Sequence, residues 1–155
     1  MKVKIEFDAS LTENEIIIRY CSLNEEIQKL QETVSDIALT SKKFVCYQSD
    51  REFFIPLDDI LFFETDAGRM HVHTAAEAYD TKFKLYELEE ALPRSFMRVS
   101  KSTILNTHHV YSITKNLTAS SIVEFIGTHK QVYVSRYYYK PLKIKLEEMR
   151  NVYEK

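Results

Sequence analysis

The feature that most constrains the fold is a long series of short apolar segments between residues 44 and 135. Apolar residues at every second position are typical of strands with one buried face. Predicted strands lie at residues 44–49, 51–56, 60–65, 71–74, 79–83, 96–98, 102–105, 110–114, 122–126 and 131–135. One helical pattern interrupts them at residues 84–92, where leucines recur on one side before Pro93. The pattern therefore predicts a mainly β core with short helices rather than a helix-turn-helix protein.

The first 40 residues follow a different pattern, which predicts a ββα unit. Residues 2–7 alternate apolar and charged side chains, and residues 15–20 contain three consecutive isoleucines, so each is a predicted strand. A helix is expected to follow to about residue 39, with Ser22 as its N-cap and Glu25 as the capping-box partner. Its apolar stripe consists of Leu23, Ile27, Leu30, Val34 and Ile37.

A change of charge and pattern near residue 41 predicts a domain boundary. Residues 1–40 carry eight acidic and four basic residues, and so short a unit buries little of its apolar stripe alone. Residues 1–41 are therefore predicted to be a regulatory or dimerisation appendage that packs on the next domain or on another chain. Residues 42–155 form the second predicted domain, whose C-terminal helix has Pro141 in its first turn. The stripe of that helix consists of Leu142, Leu146, Met149 and Tyr153.

The second half of the chain contains a strongly basic region. Nine Lys or Arg residues and a single acid, Glu124, lie between residues 94 and 145, although the formal net charge of the whole chain is −2. Such a local positive field favours a polyanion or a strongly acidic protein as the partner. Duplex DNA is the commonest ligand of this kind.

Two residues in this region have side chains suited to DNA. Arg136 follows an apolar predicted strand, and an arginine held at a rigid strand end can bond O6 and N7 of guanine together. Lys101 lies in a predicted turn, from which it can reach phosphate or base. The alternatives are a solvated strand-end arginine and an ordinary surface lysine. Four further lysines are generic candidates for phosphate contacts: Lys82, Lys84, Lys115 and Lys130.

Three segments of the chain resemble the LytTR family of DNA-binding domains. The segment FMRVSKSTILN (residues 96–106) is similar to the family signature F-x-R-x-H-[KR]-S-x-x-V-N, with Ser100 where a histidine is usual. Residues 53–68 resemble the family's opening strand and small-residue turn, and VYVSRYYYKPLKIKL (residues 132–146) resembles its closing strand and tail. The likeness runs from about residue 42 to about residue 150. It implies an elongated arrangement of small antiparallel sheets.

The resemblance also implies which residues contact DNA. Arg136 matches the family's base-reading position, and Lys101 and Ser102 align with a contact loop. Residues 65–71 match the family's other contact loop. The complete set of predicted DNA-binding residues is Arg69, Met70, Arg98, Lys101, Ser102, Arg136, Tyr137 and Lys140. For Arg98, a structural hydrogen bond is an equal alternative to a phosphate contact.

The sequence contains none of the common motifs of enzymes or of metal and nucleotide sites. No HExxH, CxxC or G-x-S-x-G motif is present, and two glycines cannot form a phosphate-cradling loop, so no enzyme activity, cofactor, metal or small-molecule substrate is expected. His71 and His73 have no partner at a metal-ligand spacing. Cys21 and Cys46 are predicted to be buried free thiols in a reducing cytosol. The sequence also lacks an apolar run of the about 20 residues that a membrane span needs.

These features predict a cytoplasmic bacterial transcription regulator that reads duplex DNA through loops in successive major grooves. The resemblance implies two protomers, a homodimer at least on DNA, bound to adjacent direct repeats. The appendage is too short for a phosphorylatable receiver domain, so control by a binding partner is expected. Short regulators of this family resemble those kept inactive by a dedicated membrane protein. The alternative is a protein-interaction module of the same fold that titrates a partner regulator without binding DNA.

Overall fold

The computed structural model describes residues 2–40 and 42–150, which form three helices and ten strands. The helices are α1 (Glu25–Thr40), α2 (Leu85–Ala91) and α3 (Arg136–Arg150). The strands are β1 (Lys43–Gln48), β2 (Arg51–Pro56), β3 (Ile60–Asp66), β4 (Arg69–Thr74), β5 (Ala78–Thr81), β6 (Phe96–Arg98), β7 (Thr103–Asn106), β8 (Val110–Thr114), β9 (Ser121–Phe125) and β10 (Gln131–Val134).

The described strands pair antiparallel in two sheets. The larger sheet has the order β2-β1-β5-β4-β3-β7-β6, and the smaller sheet has the order β10-β9-β8. Strands β2, β6 and β8 have the predicted bounds, and the other strands differ from prediction by one or two residues at an end. The predicted fold class, mainly β with antiparallel sheets and short helices, is therefore confirmed.

Strand β3 is buried on both faces, which explains its unbroken apolar run. A register shift between Ile60 and Phe62 interrupts the usual alternation of side chains. As a result, Ile60 and Phe63 enter one hydrophobic core, together with Leu88 of α2. Leu61 and Phe62 enter a second core, which the smaller sheet and α3 complete with Val123, Phe125, Val132, Val134 and Leu142.

The N-terminal unit differs from its prediction. Residues 2–20 are described, yet they form no strand ladder, because two short segments alone are marginally stable as a hairpin. Helix α1 is present, but its cap is Asn24 rather than Ser22. The Asn24 side-chain oxygen accepts a hydrogen bond from the Ile27 N–H at 2.9 Å. This places an accepting side chain directly before the first helical residue, as N-capping requires.

Helix α1 makes polar contacts with Arg94, which follows α2. The Arg94 guanidinium lies 2.5 Å from a Glu32 carboxylate oxygen. The Arg94 backbone N–H donates to Asp36 at 3.2 Å. None of the side chains of residues 2–39 is buried, and Leu23 of the apolar stripe is 56% exposed. The stripe therefore contributes little to the cores of the β domain.

The two cysteines are free thiols, as predicted, but they differ in burial. Cys46 is fully buried, and this burial raises its pKa to about 11. Cys21 is exposed, which corrects the prediction, because the segment around it has no core to cover it.

Helix α3 begins earlier than predicted. Strand β10 ends at Val134 and the helix starts at Arg136, so Pro141 lies inside the helix rather than in its first turn. The run of tyrosines after Arg136 resembles a strand because aromatic residues favour strands. Leu142 is fully buried, as its predicted place on an apolar stripe requires. The predicted stripe position Tyr153 lies outside the described residues.

Candidate nucleic-acid interface

The loop that carries Lys101 connects β6 to β7 and is held by Arg98. The Arg98 Nε donates to the Ser100 carbonyl at 2.7 Å, and one terminal nitrogen donates to the Lys101 carbonyl at 2.6 Å. The other terminal nitrogen pairs with Glu89 at 2.8 Å. The Arg98 side chain is only 25% exposed, whereas Lys101 is exposed at the tip of the loop. This geometry favours the structural alternative for Arg98 over a phosphate contact.

Ser102 is half-buried, and its groups are used within the same loop. Its N–H donates to the Ser100 hydroxyl at 3.2 Å, and the two hydroxyls lie 3.3 Å apart. The Ser102 hydroxyl also lies 3.4 Å from that of Thr103. These bonds indicate that Ser102 shapes the loop, so its predicted DNA contact gains no support from the geometry.

Two main-chain hydrogen bonds join the Lys101 loop to neighbouring segments. The Thr65 N–H donates to the Ser102 carbonyl at 2.8 Å, which ties the loop to the end of β3. The Ser135 N–H donates to the Val99 carbonyl at 2.9 Å, which ties the loop to the start of α3. Segments that are far apart in the sequence are therefore fixed side by side.

Arg136 is the first residue of α3 rather than the end of a strand, which corrects the predicted setting. Its side chain is exposed, and one terminal nitrogen lies 3.4 Å from the Leu117 carbonyl in the β8–β9 loop. The Tyr138 N–H donates to the Ser135 carbonyl at 3.0 Å, which closes the first turn behind Arg136. The start of the helix and its bond to Val99 supply the rigidity that the strand was expected to supply.

Arg69 and Met70 are the first two residues after the β3–β4 turn, and they differ in exposure. Ala67 and Gly68 both have positive φ, at 47° and 76°, as a two-residue type I′ hairpin turn requires. Arg69 follows the turn and is exposed. Met70 is 7% exposed and belongs to the core around Phe63. This burial disfavours the predicted contact between the Met70 side chain and DNA.

Tyr137 and Lys140 lie on the first turns of α3. Tyr137 is 81% exposed, and its ring meets that of Tyr138 edge-on, with centroids 4.9 Å apart. Lys140 is exposed as well. Both side chains are therefore available beside Arg136. Below, residues 67–69, 99–102 and 135–137 are called the three-loop surface.

The β8–β9 loop lies next to Arg136 and α3, a position that its sequence did not indicate. Asn116 orders this loop, because its side-chain oxygen accepts hydrogen bonds from the N–H groups of Thr118 and Ala119 at 3.1 and 3.2 Å. Lys115 Nζ lies 5.5 Å from the centroid of the Tyr139 ring in α3. The signal that could have indicated the loop is an asparagine beside a lysine between two predicted strands.

The Lys130 side chain makes contacts within the protein rather than lying free on the surface. Its Nζ donates to the Glu77 carbonyl at 2.6 Å and lies 3.5 Å from His73 Nδ1, which joins the two sheets. The His73 ring stacks on Phe62 with centroids 4.2 Å apart. Burial, together with the positive charges of Lys130 and His71, lowers the pKa of His73 to about 4. A generic phosphate contact by Lys130 is therefore disfavoured.

The three cations of the three-loop surface are not used in ion pairs within the described part of the chain. Arg94, Arg98 and Lys143 each lie beside a carboxylate. Arg69, Lys101 and Arg136 are exposed and have no carboxylate within 4.0 Å among the described residues. A surface of this kind can accept the oxygen atoms of an anionic ligand without first breaking ion pairs.

Within 2–40 and 42–150, no group of three or more His, Cys, Asp or Glu side chains could hold a metal ion. The His71 ring nitrogen lies 2.8 Å from an Asp80 carboxylate oxygen. None of the described helices is long and apolar enough to cross a membrane.

Comparison with known proteins gives a consistent result. Residues 50–147 match the family model described as the LytTr DNA-binding domain. An uncharacterised HTH-type transcriptional regulator of Staphylococcus aureus strain NCTC 8325 is 28% identical over 147 residues, which cover 94% of this chain and 98% of the relative. A regulator with the same description from the bovine strain RF122 is 30% identical over 148 residues, with the same coverage.

A solved structure has the same fold. The LytTr DNA-binding domain of a putative methyl-accepting/DNA response regulator from Bacillus cereus superposes with a TM-score of 0.61 at 22% identity and covers 68% of this chain and 96% of that one. The family match at residues 50–147 includes the whole three-loop surface. The chain therefore belongs to the LytTr DNA-binding domain family.

Proposed function

We propose that the protein is a transcription regulator that binds duplex DNA sequence-specifically through the three-loop surface. The observation that carries this proposal is the exposure of Arg69, Lys101 and Arg136 without carboxylate partners among the described residues. Their loops are linked by main-chain hydrogen bonds at the end of β3 and the start of α3. A rigid set of unpaired cations suits a ligand that presents phosphates and base edges together.

Within this surface, we assign base reading to Arg136. Its planar guanidinium can bond two acceptors of one guanine, and its position at a helix start limits the entropy lost on binding. Its contact with the Leu117 carbonyl is long, at 3.4 Å, so DNA can replace it readily. Lys101 and Arg69 are assigned to phosphate, and Tyr137 and Lys140 extend the contact along the backbone of the duplex.

We further propose that two protomers occupy adjacent direct repeats and insert their loops into successive major grooves. Control is proposed to come from a binding partner rather than from phosphorylation, and a membrane protein that holds the regulator inactive is one such partner. The exposed apolar residues of the N-terminal unit support a binding role for that unit. A module that only titrates another protein has no physical need for three unpaired cations on linked loops, so the DNA-binding reading is favoured.

The direct test is selection of protein-bound duplexes from a random pool, followed by binding measurements over a range of salt. If about five phosphates are neutralised, log K against log salt should have a slope of about −4 to −5. A selected sequence that recurs as two direct repeats supports the proposal. No enrichment of any sequence, or binding that does not respond to salt, contradicts it.

A further inference from the structure

Large apolar side chains near the N-terminus are exposed far more than is usual for a monomer. Eight of them among residues 3–23 expose between 47% and 94% of their surface: Val3, Ile5, Phe7, Leu11, Ile16, Ile17, Tyr20 and Leu23. At roughly 100 Å² of apolar surface for each fully exposed side chain, the set offers roughly 500 Å². Because dimer interfaces are about 65% apolar, an interface that covered all eight side chains would bury roughly 800 Å² per partner, the usual size of a stable interface.

The backbone in this region is also without partners. Residues 3–7 and 15–20 belong to no helix or strand and make no backbone hydrogen bond within the described part of the chain. Together with Ile27, Leu30 and Val34 of α1, the two segments line an open groove of about 450 Å³. An extended segment with unpaired N–H and carbonyl groups is a template for another strand.

We propose that residues 15–19 pair antiparallel with the same residues of a second copy of this chain, about a two-fold axis at Ile17. The sequence Glu-Ile-Ile-Ile-Arg is complementary to itself in this register. Each Glu15 lies opposite Arg19 of the other copy, each Ile16 lies opposite Ile18, and Ile17 lies opposite itself. Opposite charges and branched apolar residues are favourable cross-strand pairs, and a two-fold interface requires this reciprocity.

The sequence pattern supports a second copy as the occupant and favours this segment. Residues 2–8 paired about Ile5 would also place opposite charges across from each other, Lys2 with Asp8 and Lys4 with Glu6. Residues 15–19 differ in supplying three consecutive β-branched residues, which pair favourably across strands. A second copy of this chain supplies the acid, the three isoleucines and the base in the matching antiparallel order. A different protein would need to have that same order by coincidence. Residues 15–19 lie outside the matched DNA-binding domain at residues 50–147, so the proposed two-fold axis relates the N-terminal segments and does not fix the arrangement of the DNA-binding domains on direct repeats. This dimer forms without DNA, so the inference goes beyond the proposed function and does not rest on it.

The charges provide a reciprocal test on the full chain. Light scattering after size-exclusion chromatography, without DNA, should give the wild type a mass near twice 18.3 kDa. Glu15→Arg and Arg19→Glu each place like charges opposite each other and should raise the dimer Kd at least about tenfold. The double variant restores opposite charges and should return the Kd to within about twofold of wild type. Glu13→Arg makes the same charge change outside the paired residues and should remain dimeric.

A cross-link tests the register. In a Cys21→Ser background, which removes the exposed native thiol, Ile17→Cys should form a disulfide-linked dimer under mild oxidation. Directly opposite residues of antiparallel strands have Cα atoms about 4.5–5.5 Å apart, within the range of a disulfide. Thr12→Cys in the same background is the control and should cross-link much more slowly.

Three results would overturn the inference: a wild type that is monomeric at about 100 µM, a dimer that Glu15→Arg leaves unchanged, or a double variant that stays monomeric. Binding of a duplex with one repeat reports separately on the proposed function. Glu15→Arg should bind that duplex as the wild type does. A failed dimer test would therefore leave the proposal of DNA binding unaffected. In the same way, a failure to bind DNA would leave the dimer result unaffected.

Discussion

Arg98→Ala should distinguish a residue that shapes the DNA-binding loop from one that contacts phosphate. In the folded protein, Arg98 donates to the carbonyls of Ser100 and Lys101 at 2.7 and 2.6 Å and pairs with Glu89. Hydrogen bonds from charged groups contribute about 1.5–3 kcal/mol each when well shielded. The Glu89 carboxylate is half-exposed and adds little. Because the bond to the Lys101 carbonyl is exposed to solvent and counts for less, we expect a loss of about 2–3 kcal/mol in the free energy of unfolding.

The effect on DNA binding should have a distinct salt signature. Without Arg98, the loop that presents Lys101 loses its support, and DNA affinity should fall by about tenfold through disorder of the loop. The salt slope should stay unchanged because no phosphate contact is removed. Lys101→Ala should instead lower the slope by about one and leave stability unchanged, since Lys101 is exposed. Denaturant titration and fluorescence anisotropy with a selected duplex measure the two quantities.

Arg98→Lys is the matched control because it keeps the charge but lacks the planar guanidinium whose separate nitrogens bond the Ser100 and Lys101 carbonyls. If Arg98 supports the loop, this variant should resemble Arg98→Ala in stability. If Arg98 contacts phosphate, the variant should retain most of the affinity and the full salt slope. A slope lowered by about one in Arg98→Ala, with unchanged stability, would refute the structural role.

The remaining predictions concern Arg136, the N-terminal unit and His73. Arg136→Ala should cost about 1–3 kcal/mol in binding to a selected duplex and much less on random duplex; equal losses on both would show that it reads no base. Removal of residues 1–40 should leave a folded domain that binds a single repeat, because none of the side chains of residues 2–39 is buried; an unfolded product in circular dichroism would contradict this. The pKa of His73 is lowered to about 4, so the neutral ring stabilises the fold fully above about pH 6.5, and this contribution is lost as the pH falls to about 4. Denaturant midpoints across that range should decline less in His73→Phe, and an equal decline in both proteins would exclude this origin.

The sequence by itself determined the type and order of most elements. Strand bounds for β2, β6 and β8 followed from alternation of apolar residues, which is a local property of the chain. The type I′ turn before Arg69 likewise depends on a local Ala-Gly pair with positive φ. The basic region and the spacing of its motifs indicated a DNA-binding family, to which the matched residues 50–147 assign the chain.

Only the tertiary structure decided which residues face the ligand. Arg69 and Met70 are neighbours, but successive side chains of a strand point to opposite faces, and the core around Phe63 claims Met70. The role of Lys130 depends on the Glu77 carbonyl, which lies 53 residues away in the sequence and is brought near it by folding. The link between Val99 and Ser135 joins residues that are separated in the sequence by all three strands of the smaller sheet. Contacts of this kind depend on long-range packing, which local periodicity does not encode. The sequence could therefore indicate candidate cations for the interface, but not which of them are free to contact a ligand.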